Sequence, residues 1–224
     1  ALGVAAWLIV GAIMVVCTFT FSTLSSRYQK VNGVVDYAEA ALGPVYGYYV
    51  GWFMAIIYYP TLTSVLAWLS ARYFCVLLGW DITGGPCMAI ACFFLCMSFA
   101  VNALSPWLAG RFQVATTVIK MVPLLLMAVV GTAAGMHSGQ LAANFSAAGI
   151  AEASAGTSLM ASVVAVAFAY EGWIIATSIN AELKDPKRTL PLALVIGAVI
   201  VVATYLFYYV GLSGAVTTGE MMES

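Results

Sequence analysis

Long apolar runs separated by short polar connections dominate the pattern of residues along the chain. A helix that crosses a bilayer needs about 20 mostly apolar residues, and six runs are long enough. They cover approximately residues 3–24, 44–78, 87–106, 112–136, 158–179 and 190–213. The runs lack the alternation of apolar and polar residues that is typical of a transmembrane β-strand. The pattern therefore predicts an all-α integral membrane protein, with six transmembrane helices in one transmembrane domain, 1–224.

The composition agrees with a chain that lies in a bilayer. Hydrophobic residues make up 63% of the 224 residues and charged residues only 8%, whereas soluble domains typically carry about 25% charged residues. So few charges cannot form a water-exposed surface, and the lipid bilayer is the first expected partner. The sequence has no basic patch, so nucleic acid is not expected as a partner. The five cysteines and the single histidine form no metal-binding motif, so neither a metal site nor a cofactor is expected.

The basic residues predict how the helices are oriented in the membrane. Six of the eight Lys and Arg residues fall on alternate connections, at Arg27, Lys30, Arg111, Lys184, Lys187 and Arg188. Cytoplasmic connections of membrane proteins carry an excess of Lys and Arg. Connections 25–43, 107–111 and 180–189 are therefore expected on the cytoplasmic side of the plasma membrane, and connections 79–86 and 137–157 on the outer side.

Two of the apolar runs resemble each other. Residues 9–21, "IVGAIMVVCTFTF", and residues 195–207, "VIGAVIVVATYLF", share six identities in 13 positions without a gap. The charge pattern directs the first run inward and the second run outward. Similar helices of opposite orientation are typical of the inverted repeats found in secondary transporters. The pair therefore indicates such a repeat.

The fifth run carries a glutamate and a glycine near its centre, in "FAYEGW", residues 168–173. Glu171 lies about 12 Å from the cytoplasmic end of the run, where an acidic side chain costs about 2.5–3.5 kcal/mol. Gly172 weakens a helix by about 1 kcal/mol relative to alanine. The combination favours an interrupted helix whose free peptide groups line a polar cavity and bind the carboxylate and ammonium groups of an amino acid. The alternative is a continuous helix in which Glu171 is protonated and hydrogen-bonded.

A lysine lies inside the fourth run, at Lys120 of "TTVIKMVPLLL". One interpretation is that its long side chain reaches back to the lipid headgroups. The other is a buried cation that titrates or takes the place of a metal ion. Because Lys120 and Glu171 have similar inferred depths, the sequence predicts that they belong to one proton-sensitive site.

Three stretches resemble a known family, the amino acid/polyamine/organocation permeases. They are residues 6–52, the lysine-containing stretch 116–126, and "FAYEGWIIATSINAELKDPKRTLPLAL", residues 168–194. The most specific piece is "ELKDPKRTLP", residues 182–191, which is similar to the L-type and serine/threonine-exchanger branches. The likeness extends over nearly the whole chain.

The resemblance implies a leucine-transporter-like fold of two inverted repeats, in which this chain supplies family helices two to seven. The sixth helix of the family is broken and contacts the substrate. By position, the substrate-binding role falls on Phe168, Ala169, Tyr170, Glu171, Gly172 and Trp173, with Phe168 as the expected gate. The fifth-helix lysine of the family stands where related transporters hold sodium, which implies proton or ion coupling through Lys120 and Glu171.

The expected function is a secondary active transporter, a permease or exchanger, that moves amino acids by alternating access without sodium. A polyamine or cationic amine exchanger is one alternative, and a non-transporting scaffold or sensor built on the same fold is another. A membrane enzyme is not expected, because clustered His, Asp or Cys residues are missing. The chain begins without methionine and lacks the first helix of the family, so it looks like a piece of a longer protein. A partner subunit is neither implied nor excluded.

Overall fold

The computed structural model describes residues 2–28, 32–146 and 158–217, apart from the side chains of four residues. These residues form α-helices and contain no β-strand. The α-helices are α1 (Leu2–Arg27), α2 (Val34–Leu42), α3 (Pro44–Phe53), α4 (Tyr59–Leu78), α5 (Gly85–Leu104), α6 (Pro106–Leu126), α7 (Thr132–Ser138), α8 (Gln140–Asn144), α9 (Leu159–Ala169) and α10 (Pro186–Ala215). Two π-helical turns, Met54–Tyr58 and Met127–Gly131, join α3 to α4 and α6 to α7, and a 3₁₀ helix, Trp173–Glu182, follows α9.

Six stretches of the described chain are long and apolar enough to cross a membrane. They are Gly3–Arg27, Pro44–Leu78, Gly85–Leu104, Trp107–Ser138, Leu159–Asn180 and Pro186–Ala215. The predicted all-α architecture with six membrane-length apolar helices is therefore confirmed.

The helices extend further into the polar connections than the apolar runs suggest. Residues 107–111, expected to connect two helices, form the first turns of α6, and α1 continues through Arg27. In connection 180–189, the 3₁₀ helix reaches Glu182 and α10 begins at Pro186. Hydropathy identifies the part of a helix that lies in hydrocarbon, whereas charged residues at the headgroups are compatible with helical backbone.

Each of the two longest stretches contains a proline as well as a π-helical turn. Pro60 is in the first turn of α4 and has no N–H to donate to Ile56, inside the π-helical turn. Pro123 lies inside α6 and cannot donate to the carbonyl of Ile119. Such turns re-aim a long helix without ending it.

Residues 1–37 and 119–224 form one compact unit, in which α1 packs along α10. Gly3 lies against Tyr209, and a Cβ at Gly11 would come within 3.0 Å of Val202. Because the partner number falls as the α1 number rises, the two helices are antiparallel. This agrees with the opposite orientations predicted for the repeat pair.

A glycine seam joins α10 to the helix that contains Lys120. Gly131 lies against the backbone of Gly211, and Gly135 against the backbone of Gly214. Here the residue numbers rise together, so the two helices run in the same direction. Close backbone contact of this kind needs glycine on at least one helix, and small residues are a common way to bring membrane helices together.

Residues 38–118 form the second compact unit, which contains the α4–α5 hairpin. Its core consists of small buried side chains, namely Ala71, Cys75, Cys87 and Ala91. The connection after α4 begins at Gly79, whose φ of +67° ends the helix in the left-handed region. Thr83 donates its N–H and its hydroxyl to one carboxylate oxygen of Asp81, and these two bonds hold the pKa of Asp81 below its usual value.

Candidate functional site

The fifth membrane-length stretch is interrupted at the predicted position. α9 ends at Ala169, residues 170–172 form a turn, and a 3₁₀ helix begins at Trp173. The backbone pairing changes accordingly, because the N–H of Glu171 donates to Phe168 O and the N–H of Ile175 to Gly172 O, both at 3.2 Å. The interruption excludes the alternative of a continuous α-helix through Glu171.

Gly172 sets the geometry of the turn. Its φ of +101° and ψ of −19° lie in a region that side chains with a Cβ rarely adopt. A Cβ added there would meet nothing within 4 Å, so the demand for glycine is conformational rather than steric. The glycine identified in the sequence as a helix-weakening residue is therefore the last residue of the turn that separates α9 from the 3₁₀ helix.

The interruption lies near the middle of the stretch. The 11 residues of α9 rise by about 16 Å at 1.5 Å per residue, roughly half of a 30 Å hydrocarbon core. The 10 residues that follow form 3₁₀ helix, whereas runs longer than about 3–4 residues are uncommon in proteins. A long 3₁₀ stretch inside a membrane helix marks a hinge or a strained segment.

The side chains of the "FAYEGW" motif divide into two groups. Tyr170 is 4% exposed and Trp173 is half-buried, and both pack against neighbouring helices. Phe168 is 51% exposed, and Ala169 and Glu171 are exposed as well. Phe168, Ala169 and Glu171 are thus the exposed residues of the motif, whereas Tyr170 packs against α1 and α10.

Aromatic rings hold the packed side of the turn. Tyr170 makes edge-on contacts with Trp7 and with Tyr205, with ring centroids 5.3 Å apart in both cases. Trp173 makes an edge-on contact with Phe21 at 5.2 Å. Both residues that flank Glu171 and Gly172 are therefore fixed on α1, and Tyr170 on α10 as well.

A polar junction joins the 3₁₀ helix to the end of α1. Asn180 is fully buried and donates its Nδ2 hydrogen to the carbonyl of Tyr28 at 3.4 Å. Thr177 is fully buried too, and Gly33 lies directly against its hydroxyl. Sequence reasoning missed this junction because Asn180 and Tyr28 are 152 positions apart. The only hint was a polar amide near the end of an apolar run.

The connection between α1 and α3 carries two buried polar side chains next to this junction. Asp36 is 3% exposed and accepts hydrogen bonds from the N–H of Asn32 at 2.7 Å and from its side-chain amide at 3.3 Å. Tyr37 packs on Phe21 and Tyr28. Burial, and then the negative charge of Asp36, raise the pKa of Tyr37 above its ordinary value.

Lys120 lies in α6, in the compact unit that also contains the interruption, and its side chain is exposed. It follows Ile119, whose carbonyl lacks its usual helical donor because of Pro123. The shared site of Lys120 and Glu171 stays a prediction. Within the part of the chain that the structure describes, no three or more His, Cys, Asp or Glu side chains are grouped so as to hold a metal ion.

Six apolar helices of membrane length, one of them interrupted at mid-span, define a multi-pass membrane protein. A family model described as "Amino acid permease" matches residues 1–224. The chain therefore belongs to the amino acid permease family, as the resemblance in the sequence implied. This family comprises transporters and not enzymes.

Individual relatives are similar to nearly the whole chain. The serine/threonine exchanger SteT of Bacillus subtilis is 28% identical over 97% of the chain and 48% of its own length. The human b(0,+)-type amino acid transporter 1 is 26% identical over 97% of the chain and 45% of its own length. The human cystine/glutamate transporter is 23% identical over 97% of the chain and 44% of its own length. The chain thus spans about half the length of the curated relatives that it matches.

Proposed function

We propose that this chain belongs to a secondary active transporter that exchanges amino acids across the plasma membrane by alternating access, independently of sodium. The observation that carries the proposal is the interruption at residues 170–172, near the middle of a membrane-length helix of an amino acid permease. Non-helical backbone at this depth is tolerated only where protein or a water-filled cavity surrounds it. An interruption there is how many transporters build a substrate site.

The turn offers complementary groups to a zwitterion. The peptide N–H groups at the start of the 3₁₀ helix favour a carboxylate, and carbonyl oxygens at the end of α9 suit an ammonium group. Phe168, exposed beside the turn, is the proposed gate over the substrate. Ala169 and Gly172 keep the space beside the turn free of bulky side chains. The negative charge of Glu171 leaves cationic amino acids or amines as the alternative substrate class.

Reconstitution tests the proposal. The protein expressed from its full coding sequence is placed in liposomes, and uptake of labelled L-serine is measured with and without unlabelled L-serine inside. We expect uptake that requires internal amino acid and that persists when sodium is replaced by choline. Labelled L-arginine and putrescine, run in parallel, test the cationic alternative. Failure of all three probes to enter would favour a non-transporting scaffold or sensor and would overturn the proposal.

We further propose that Lys120 and Glu171 couple transport to protons. The support is their chemistry and depth, since ionisable groups inside membrane spans are costly and are usually retained for function. Transport is measured against pH for Lys120→Ala and Glu171→Gln, with Lys187→Ala as the control because Lys187 is an exposed cation near the start of α10. We expect altered pH profiles in the first two variants only. Unchanged profiles in both would end the coupling hypothesis.

The charge pattern supports an orientation in which residues 25–43, 107–111 and 180–189 lie on the cytoplasmic side. In this orientation α9 descends from the outer surface and the 3₁₀ helix leads to the cytoplasm. The Asn180–Tyr28 junction then belongs to the cytoplasmic half of the site.

A further inference from the structure

We propose that Tyr170 is a positioning residue that holds the turn 170–172 in place, and that it does not itself contact the substrate. This inference deepens the proposed function and rests on it. The family motif assigns all six residues of "FAYEGW" to substrate binding by position alone. The structure distinguishes among them by where each side chain lies.

Burial separates Tyr170 from its neighbours. Its side chain is 4% exposed, whereas Phe168, two residues earlier, is 51% exposed and Glu171, one residue later, is exposed. A side chain enclosed by α1 and α10 is not available to a ligand that approaches the exposed residues of the motif. Tyr170 is therefore available to fix the backbone rather than to bind.

The contacts of Tyr170 join three parts of the fold. Its ring lies 5.3 Å from Trp7 of α1 and 5.3 Å from Tyr205 of α10, and Trp7 and Tyr205 are themselves 5.0 Å apart. The three rings thus form a closed triangle of edge-on and tilted contacts, an arrangement that aromatic side chains prefer. The first residue beyond the α-helical part of the stretch is clamped at the point where two antiparallel helices meet.

The hydroxyl group contributes less than the ring. It donates to the carbonyl of Trp7 at 3.5 Å, which is long for a hydrogen bond. Gly11, one turn after Trp7, leaves room for it, since a Cβ there would lie 3.3 Å from the Tyr170 hydroxyl. Phenylalanine is therefore expected to replace Tyr170 in this function, and alanine is not.

A clamp is needed because the turn has no regular helix to hold it. Irregular backbone persists only where its surroundings fix it, and Gly172 has the conformational freedom to let the turn rearrange. Removing the Tyr170 ring would free the turn from α1 and α10. Glu171, in the turn, and Phe168, at the end of α9 just before it, would then lose their positions relative to the substrate.

Two measurements on the protein from its full coding sequence test the inference. The first is the KM and maximal rate of L-serine exchange for Tyr170→Phe, Tyr170→Ala and Tyr209→Ala. Tyr209 is the matched control because its ring is 6.4 Å from Trp7 in the same aromatic cluster, outside the triangle. We expect Tyr170→Phe to keep KM within about twofold of the wild type, and Tyr170→Ala to raise it tenfold or more. Tyr209→Ala is expected to lower the unfolding temperature without changing KM.

The second measurement needs no substrate. Amide hydrogen exchange of the peptide that contains residues 168–175 is followed by mass spectrometry in the same variants. We expect exchange at least tenfold faster in Tyr170→Ala, and wild-type exchange in Tyr170→Phe and Tyr209→Ala.

The outcomes distinguish the inference from the function on which it rests. An equal rise in KM for Tyr170→Phe and Tyr170→Ala would make the hydroxyl a substrate ligand and overturn the inference. Unchanged hydrogen exchange in Tyr170→Ala would overturn it as well, because the ring would then hold nothing in place. A wild-type protein that exchanges no probe would overturn the proposed function, while hydrogen exchange would still decide whether Tyr170 anchors the turn.

Discussion

At the scale of single residues, the conformation of Gly172 and the burial of Tyr170 define the interruption. Gly172 allows the chain to turn at a φ of +101°, and Tyr170 fixes the turn on two other helices. Gly172 thus gives the turn its conformational freedom, and the contacts of Tyr170 restrict that freedom. Phe168 and Glu171, on either side of Ala169 and Tyr170, stay exposed.

Substituting Gly172 tests the conformational requirement. In Gly172→Ala the new Cβ meets no atom within 4 Å, so any effect comes from the backbone. We expect a destabilisation of about 1–2 kcal/mol, together with loss of transport because the turn relaxes. The control is Gly197→Ala, in α10, which also has nothing within 4 Å but is helical, so alanine should stabilise it by up to about 1 kcal/mol. Thermal unfolding in detergent is the measurement, and equal shifts in both variants would contradict the prediction.

The buried hydroxyl of Tyr37 gives a second prediction at this scale. Within the described residues it has no hydrogen-bond partner, so Tyr37→Phe removes a buried polar group without breaking a bond and should leave stability unchanged or slightly higher at neutral pH. The pKa of Tyr37 is raised. Its protonated form therefore contributes stability below the ordinary tyrosine pKa, and this contribution is lost as pH rises through the higher folded pKa. Unfolding temperatures measured from pH 7 to 11 should fall less in Tyr37→Phe than in the wild type. A lower unfolding temperature for the variant at pH 7 would contradict this.

At the scale of helices, α10 is the element on which the first compact unit is assembled. One face of α10 packs antiparallel on α1, and its glycines Gly211 and Gly214 pack on the π-helical turn and α7. The ring of Tyr205 contacts Tyr170 at the interruption. Asn144, at the end of α8, donates to the carbonyls of Ser213 and Val216 at 2.6 Å and 3.0 Å. These bonds satisfy carbonyl groups at the end of α10 that lack partners in the helix.

The glycine seam predicts a position-dependent cost of adding one methyl group. In Gly131→Ala the new Cβ would overlap the backbone of Gly211, which cannot move aside as a side chain can. Overpacking of this kind typically costs about 1–3 kcal/mol. Gly110→Ala is the control in the same membrane-length stretch, because a Cβ there meets nothing within 4 Å. Unfolding temperatures should fall for Gly131→Ala alone, and tolerance of both changes would rule out the close contact.

At the scale of the whole molecule, the distribution of Lys and Arg on the connections predicts the direction of each helix. The helix packing inside each compact unit agrees with these directions. The Lys and Arg distribution predicts opposite directions for α1 and α10 and the same direction for α6 and α10, and the glycine contacts have these directions. In the α4–α5 hairpin, Cys75 near the end of α4 packs with Cys87 at the start of α5. This contact is expected for adjacent spans that are joined by a short connection.

Thiol labelling tests the orientation itself. Thr83→Cys is in the connection predicted to be outside, and Lys184→Cys in the one predicted to be in the cytoplasm, and both residues are exposed. A membrane-impermeant maleimide added to intact cells should label Thr83→Cys at once and Lys184→Cys only after permeabilisation. The wild type provides the background, because Cys92 and Cys96 are exposed and Cys17 is partly exposed, whereas Cys75 and Cys87 are buried. The reverse labelling order would invert the assigned orientation.

The sequence by itself determined that the chain lies in a lipid bilayer, how many helices are long enough to cross it, and where one of them is interrupted. These are local properties: the length of an apolar run, the sign of charge on a connection, and a glycine next to a glutamate. The helix ends were less predictable, because headgroup-level charges do not stop a helix.

Only the tertiary structure decided which side chains of the motif pack against other helices. Phe168 and Tyr170 are two residues apart, and hydropathy favours burial of the less polar Phe168, whereas the structure buries Tyr170. The burial of Tyr170 depends on its contacts with Trp7 and Tyr205. These two residues are remote in sequence and meet only because α1 and α10 pack antiparallel. Asn180 and Tyr28 meet because the 3₁₀ helix contacts α1, so contacts between distant residues, rather than the motif alone, define the candidate site.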